Sequence, residues 1–86
     1  MKYIIFQLQK FSVESIRIFD EITNHSDVAR EVASVSPGYE VASAGRVNFR
    51  EDGSISVTNG STSLHLDFNS TQSDDDVKLI RRFLRF

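Results

Sequence analysis

The sequence predicts an α+β fold, a mixed β-sheet carrying two helices in the order ββαβββα. Three observations predict it. Alternating runs rich in β-branched and aromatic residues recur at the start of the chain, in its middle and after residue 54. Two other segments, opening near Asn24 and Ser73, place apolar residues three and four apart behind small polar residues. Turn-forming residues separate the pieces: Pro37-Gly38, Asp52-Gly53 and Asn59-Gly60. The chain of 86 residues suits one domain, 1–86. A chain of that size buries roughly 60–65% of its unfolded surface, enough for one modest core.

Residues 2–9 alternate around Tyr3 and Ile5 on one face and Ile4, Phe6 and Leu8 on the other, which predicts a strand buried on both sides. Residues 13–22 read two ways. Ile16, Ile18 and Asp20 alternate like a strand, whereas Val13, Ile16, Phe19 and Ile22 have helical spacing. The β-rich Ile16-Arg17-Ile18-Phe19 favours a strand near 15–20. Asn24-His25-Ser26-Asp27 starts a helix reaching about Val35, with Val28, Val32 and Val35 on one stripe, and Pro37-Gly38 ends it. Tyr39 to Phe49 is a long strand with a bulge or close backbone approach at Ala44-Gly45. A turn at Glu51-Asp52-Gly53 leads to a strand over Ser54–Thr58, and Leu64, Leu66 and Phe68 suggest a further strand after Asn59-Gly60. Ser73 caps the last helix, whose first turn holds Asp74, Asp75 and Asp76 and whose end holds Arg81, Arg82 and Arg85. Val77, Leu79, Ile80, Phe83 and Leu84 form its buried face, and Phe11 and Phe86 either mark a partner surface or, as is commoner for such aromatics, fold back onto the small core.

Ten basic against twelve acidic residues leave a formal charge of -2, so no global basic field holds nucleic acid or an anionic membrane. The Arg81-Arg82-Arg85 cluster is the one feature pointing toward nucleic acid. The chain has no Cys, which excludes a disulfide frame, a thiolate nucleophile and a zinc-thiolate site. Two His residues without a paired-ligand spacing give no metal site, and the Asp74–Asp76 run is explained by the helix dipole. The apolar opening is too short for a signal peptide or a membrane span. A cytoplasmic protein, a monomer or weak dimer without cofactor, is the expectation, and the Asn24, Asn59 and Asn69 sequons are read as chance.

His25 is the first candidate for chemistry, because it stands at a predicted helix N-terminus. Amides of a first helical turn attract anions, and the positive helix end disfavours imidazolium, so the ring stays able to accept a proton. On position alone a helix-capping His is the more frequent case. Arg46, just past the Ala44-Gly45 break, carries a guanidinium suited to two phosphate oxygens, although a solvated arginine paired with an acid is commoner. Ser61 and Ser63 put hydroxyls and amides in a small-residue loop, which Asn59-Gly60 would equally explain as a polar turn. Lys2 adds a point charge at the start of the first strand, and Ser26 contributes a first-turn amide. No GxSxG elbow is present to support a serine hydrolase.

The order of these segments resembles the Janus/Ocnus family of phosphohistidine phosphatases. The resemblance lies in Lys2-Tyr3-Ile4-Ile5, Asn24-His25-Ser26-Asp27-Val28, Ala44-Gly45-Arg46-Val47 and Val57 through Ser63, in one order over nearly the whole chain. It implies a phosphatase that uses neither metal nor cofactor and acts on phosphohistidine or a phosphoramidate. His25 then matches the family's essential His, as base for water or as nucleophile. Arg46 matches the Arg after a glycine run, Lys2 the first-strand Lys and Ser61 the loop Ser, while Ser63 falls where the family binds phosphate through a backbone amide. Asn24 replaces an aromatic residue, Ser43-Ala44-Gly45 a run of three glycines, and Thr58-Asn59-Gly60 a Tyr-Gly-Tyr. The implied partners are phosphate or a phosphohistidine-bearing protein. The alternative is a small non-catalytic interaction or regulatory protein that keeps the fold and an anion site.

Overall fold

The computed structural model describes residues 1–8 and 13–84. The expectations for Gln9, Phe11, Arg85 and Phe86 lie outside the described residues. The chain order is β1 (Lys2–Leu8), β2 (Val13–Phe19), α1 (His25–Val35), β3 (Tyr39–Phe49), β4 (Ile55–Asn59) and α2 (Ser70–Leu84). The architecture is α+β, with one four-stranded sheet in the order β2-β1-β3-β4. Every pairing is antiparallel, so the expected mixed sheet is corrected to an antiparallel one.

β1 is central, between β2 and β3, and its alternation explains why. Ile4 and Phe6 face α1, where they pack with Val28, Val32 and Ala44. Tyr3 and Ile5 face α2, where they join Ile16, Val47 and Ile80. Each such apolar side chain taken from water contributes roughly 1.5–3 kcal/mol, so this strand organises both halves of the core. The ambiguous 13–22 segment forms a strand because β1 offers it an antiparallel edge, from Lys2↔Phe19 to Leu8↔Val13. Ile22, which only a helical reading would bury, is 91% exposed.

β3 contains the bulge two residues earlier than the sequence suggests. Ile5 pairs with Ser43 and Phe6 with Val41, leaving Ala42 as the extra residue. The extra residue reverses the facing of side chains on either side of it. Val41 therefore packs on the α1 face while Ser43 turns toward α2. Gly45 instead marks a close backbone approach: a Cβ there would stand 2.3 Å from the Thr58 carbonyl oxygen and 2.5 Å from Asn59 Cα.

The expected strand over Leu64–Phe68 does not form, so the order is ββαββα. Ser61 and Leu66 exchange two backbone hydrogen bonds of 2.9 Å, and residues 62–65 close a tight loop between them. His65 adopts a left-handed φ of 56°, which breaks the alternation that a strand requires. Leu64 and Leu66 are half-buried, packing from the loop onto the α1-side core.

α2 starts one turn before the sequence suggests. Asn69 is its cap, with Oδ1 accepting from the Gln72 amide at 3.0 Å. Ser73 is consequently inside the helix and buried, and the three aspartates lie beyond the first turn. Ile80 is fully buried and Leu79 and Leu84 pack beside it, but Phe83 is half exposed. Val35, the last residue of α1, is also exposed. Among the described residues, no helix is long and apolar enough to cross a membrane.

Candidate functional site

One cleft of about 650 Å³ gathers Lys2, His25, Arg46, Ser61 and Ser63. They come from the start of β1, the first residue of α1, the middle of β3 and the loop after β4. The sheet brings the first and third together directly, since Lys2 pairs with Arg46 in the β1–β3 register. α1 then lies across that end of the sheet and delivers His25 against Gly45.

The imidazole is 6% exposed and both of its nitrogens are engaged. Nε2 lies 2.9 Å from the Gly45 carbonyl oxygen, which can only accept, so Nε2 carries the proton. In the neutral ring Nδ1 is then an acceptor, and the Ser61 hydroxyl donates to it at 2.8 Å. Phe19 meets the ring edge-on, with centroids 5.5 Å apart and planes at 82°. Burial pushes the His25 pKa down, the Gly45 hydrogen bond opposes this, and the nearby positive charges of Lys2 and Arg46 add to the lowering.

Lys2 is nearly buried and its ammonium donates to the Thr23 carbonyl at 2.9 Å. That carbonyl is held in place by a turn in which Asp20 Oδ1 accepts from the Thr23 amide and hydroxyl, both at 2.9 Å. Arg46 is more open, and its Nε lies 3.5 Å from Glu21 Oε2. That exposed pairing is weak in water.

The first turn of α1 is less open to anions than the sequence suggests. The Asp27 and Val28 amides point to the Asn24 carbonyl, and the Ser26 amide donates to Ser63 Oγ at 3.2 Å. Ser26 therefore lies behind the cleft and reaches it through Ser63 instead of lining it. Asn24 occupies the cap position without a side-chain cap hydrogen bond. The amides of Thr62 and Ser63, by contrast, have no hydrogen bond among the described residues. Ser63 Oγ also stands 3.4 Å from Ser61 Oγ, so the loop presents hydroxyls and amides side by side.

A second polar cluster lies between the sheet and α2. Asp76 on α2 is fully buried and accepts from the Tyr3 and Ser43 hydroxyls and, at 2.8 Å, from Gln72 Nε2. Burial, and then the Asp76 carboxylate, push the Tyr3 phenol above its ordinary range. One signal was available: Asp76 stands four residues before Ile80, on the helix face that must be buried. Asn59, also buried, accepts through Oδ1 from the Asn69 amide and the Ser73 hydroxyl, which ties the site loop to α2. His65 is exposed, and no group of three or more potential metal ligands occurs among the described residues.

Compared with known proteins, the chain matches no family model, no curated protein and no solved structure at a significant level.

Proposed function

We propose that this protein is a metal-independent phosphatase for P–N bonds, acting on phosphohistidine or a small phosphoramidate. The reading carries the Janus/Ocnus resemblance forward. It is supported above all by one observation: a buried imidazole whose Nδ1 lies 2.8 Å from a serine hydroxyl, in a cleft that also holds an arginine and a lysine. In this reading the amides of Thr62 and Ser63, with Arg46, hold the phosphoryl oxygens. Lys2 supplies fixed positive potential from behind, and His25 accepts a proton through Nδ1. The labile P–N bond asks for modest charge stabilisation, which suits an open site with two cations.

The test is hydrolysis of phosphoramidate and of a phosphohistidine peptide by the wild type and by His25→Ala. Loss of a positioned base lowers the rate by roughly 10²–10⁴-fold. Equal rates in both proteins would remove the assignment.

The engagement of both His25 nitrogens and the Arg46–Glu21 pairing favour a second reading, a non-catalytic module that binds an anion. Phosphate titration followed by NMR separates the two. Amide shifts at residues 25–27 and 61–63 without any hydrolysis support the module, and absent shifts at millimolar phosphate count against both.

A further inference from the structure

We infer that Ser61, not His25 and not a water molecule, is the nucleophile of this site. The inference rests on the phosphoryl-transfer reading above and names the covalent species it would form. The geometry around His25 decides the assignment. Nε2 is directed at the Gly45 carbonyl, 2.9 Å away, and that carbonyl cannot give up an acceptor role. The only nitrogen with a lone pair is Nδ1, and the Ser61 hydroxyl occupies it at 2.8 Å. A direct attack by the imidazole would require that hydroxyl to be displaced. A water activated by His25 would need the same position. The proton that His25 is built to take is therefore the one on Ser61 Oγ, the pairing of nucleophile, base and orienting group expected of an activated hydroxyl. Here the orienting group is a main-chain carbonyl, held by the β3–β4 approach at Gly45.

Attack forms a bond between Ser61 Oγ and phosphorus and breaks the P–N bond. The hydroxyl proton passes to His25 Nδ1 and from there to the departing nitrogen. In the second half a water molecule adds to phosphorus and gives its proton to Nδ1. The Oγ–P bond breaks, the serine oxygen recovers that proton, and inorganic phosphate leaves. Arg46 is placed at the mouth of the same cleft, where the charge on the phosphoryl oxygens is carried through both halves.

Phosphoserine survives acid, whereas phosphohistidine does not, and this difference identifies the nucleophile. The full-length protein is mixed with phosphoramidate, quenched in acid during turnover and digested for peptide mass analysis. In parallel it is treated with a small fluorophosphonate, which reports an activated hydroxyl whether or not the protein is a phosphatase: Oγ–P forms, fluoride leaves and the proton goes to Nδ1. The expected result is fluorophosphonate label on Ser61, abolished in His25→Ala, with Ser61→Ala losing roughly a hundredfold or more in phosphoramidate hydrolysis. Thermal unfolding checks that both variants fold, and the wild-type labelling is independent of them. Label on His25, or wild-type hydrolysis by Ser61→Ala, overturns the inference. If the wild type hydrolyses nothing, the phosphatase reading fails by itself. Fluorophosphonate label on Ser61 would then still uphold the nucleophile, and its absence would end it.

Discussion

The Tyr3 hydroxyl, the Ser43 hydroxyl and the Gln72 amide converge on one carboxylate that is removed from water. A buried carboxylate is tolerated only when its oxygens are supplied with donors, and Asp76 has three. Losing one donor leaves part of the desolvation cost uncompensated. Tyr3→Phe is thus expected to destabilise the protein by roughly 1–3 kcal/mol, read from urea unfolding. A change indistinguishable from zero would show that the phenol contributes only its ring. His25 works on the same principle with a different outcome. Its two partners sit on opposite sides of the ring and fix the tautomer, which turns a permissive cap residue into a directed proton acceptor.

Between elements, the β3–β4 contact sets the geometry of the site. Gly45 lets β4 approach closely enough for the loop that follows to bring Ser61 beside His25. A methyl group at 45 meets main-chain atoms at 2.3 and 2.5 Å, which side-chain adjustment cannot relieve. Gly45→Ala should therefore cost at least about 1–3 kcal/mol of stability and displace β4. NMR shifts confined to residue 45 and its immediate neighbours, with an unchanged unfolding midpoint, would contradict this. The sequence leaves a bulge or a close approach open at Ala44-Gly45; the structure makes Gly45 the close approach and puts the bulge at Ala42. A bulge has no residue signature of its own here. It arises because β1 needs Val41 and Ser43 on opposite faces, and β1 lies more than thirty residues away in the chain.

Across the whole molecule, the protonation of His25 couples the site to folding. Its folded pKa lies below the ordinary 6.5, so the neutral form is the one the fold accepts. Above that ordinary value folded and unfolded chains are both neutral at His25 and the contribution is fully present. As pH falls below it the unfolded chain binds the proton first, and stability is lost until the pH has passed through the lower folded pKa. Unfolding midpoints should therefore fall on going from about pH 7 to 5, and His25→Ala should flatten that part of the profile. The lowered carboxylates of Asp20, Glu21 and Asp52 lose their stabilising ionised form only below the ordinary carboxylate values, in a separate acid window. A slope unchanged in His25→Ala would mean that the imidazole is not depressed.

What the sequence determined was local: a first strand apolar on both faces, a helix start within Asn24–Asp27, and a strand over 39–49. Those features are written in spacings of two, three and four and in turn residues, all within a few positions of one another. Tertiary structure decided the rest. The alternating 64–68 segment became a loop because Ser61 and Leu66 pair with each other instead of with a neighbouring strand. The Ser61 hydroxyl meets His25 across 36 residues, and Tyr3 meets Asp76 across 73. Partnerships of that length depend on how the sheet and its two helices stack, since a hydrogen bond needs its atoms placed to within a few tenths of an ångström and no short window of sequence encodes such a placement.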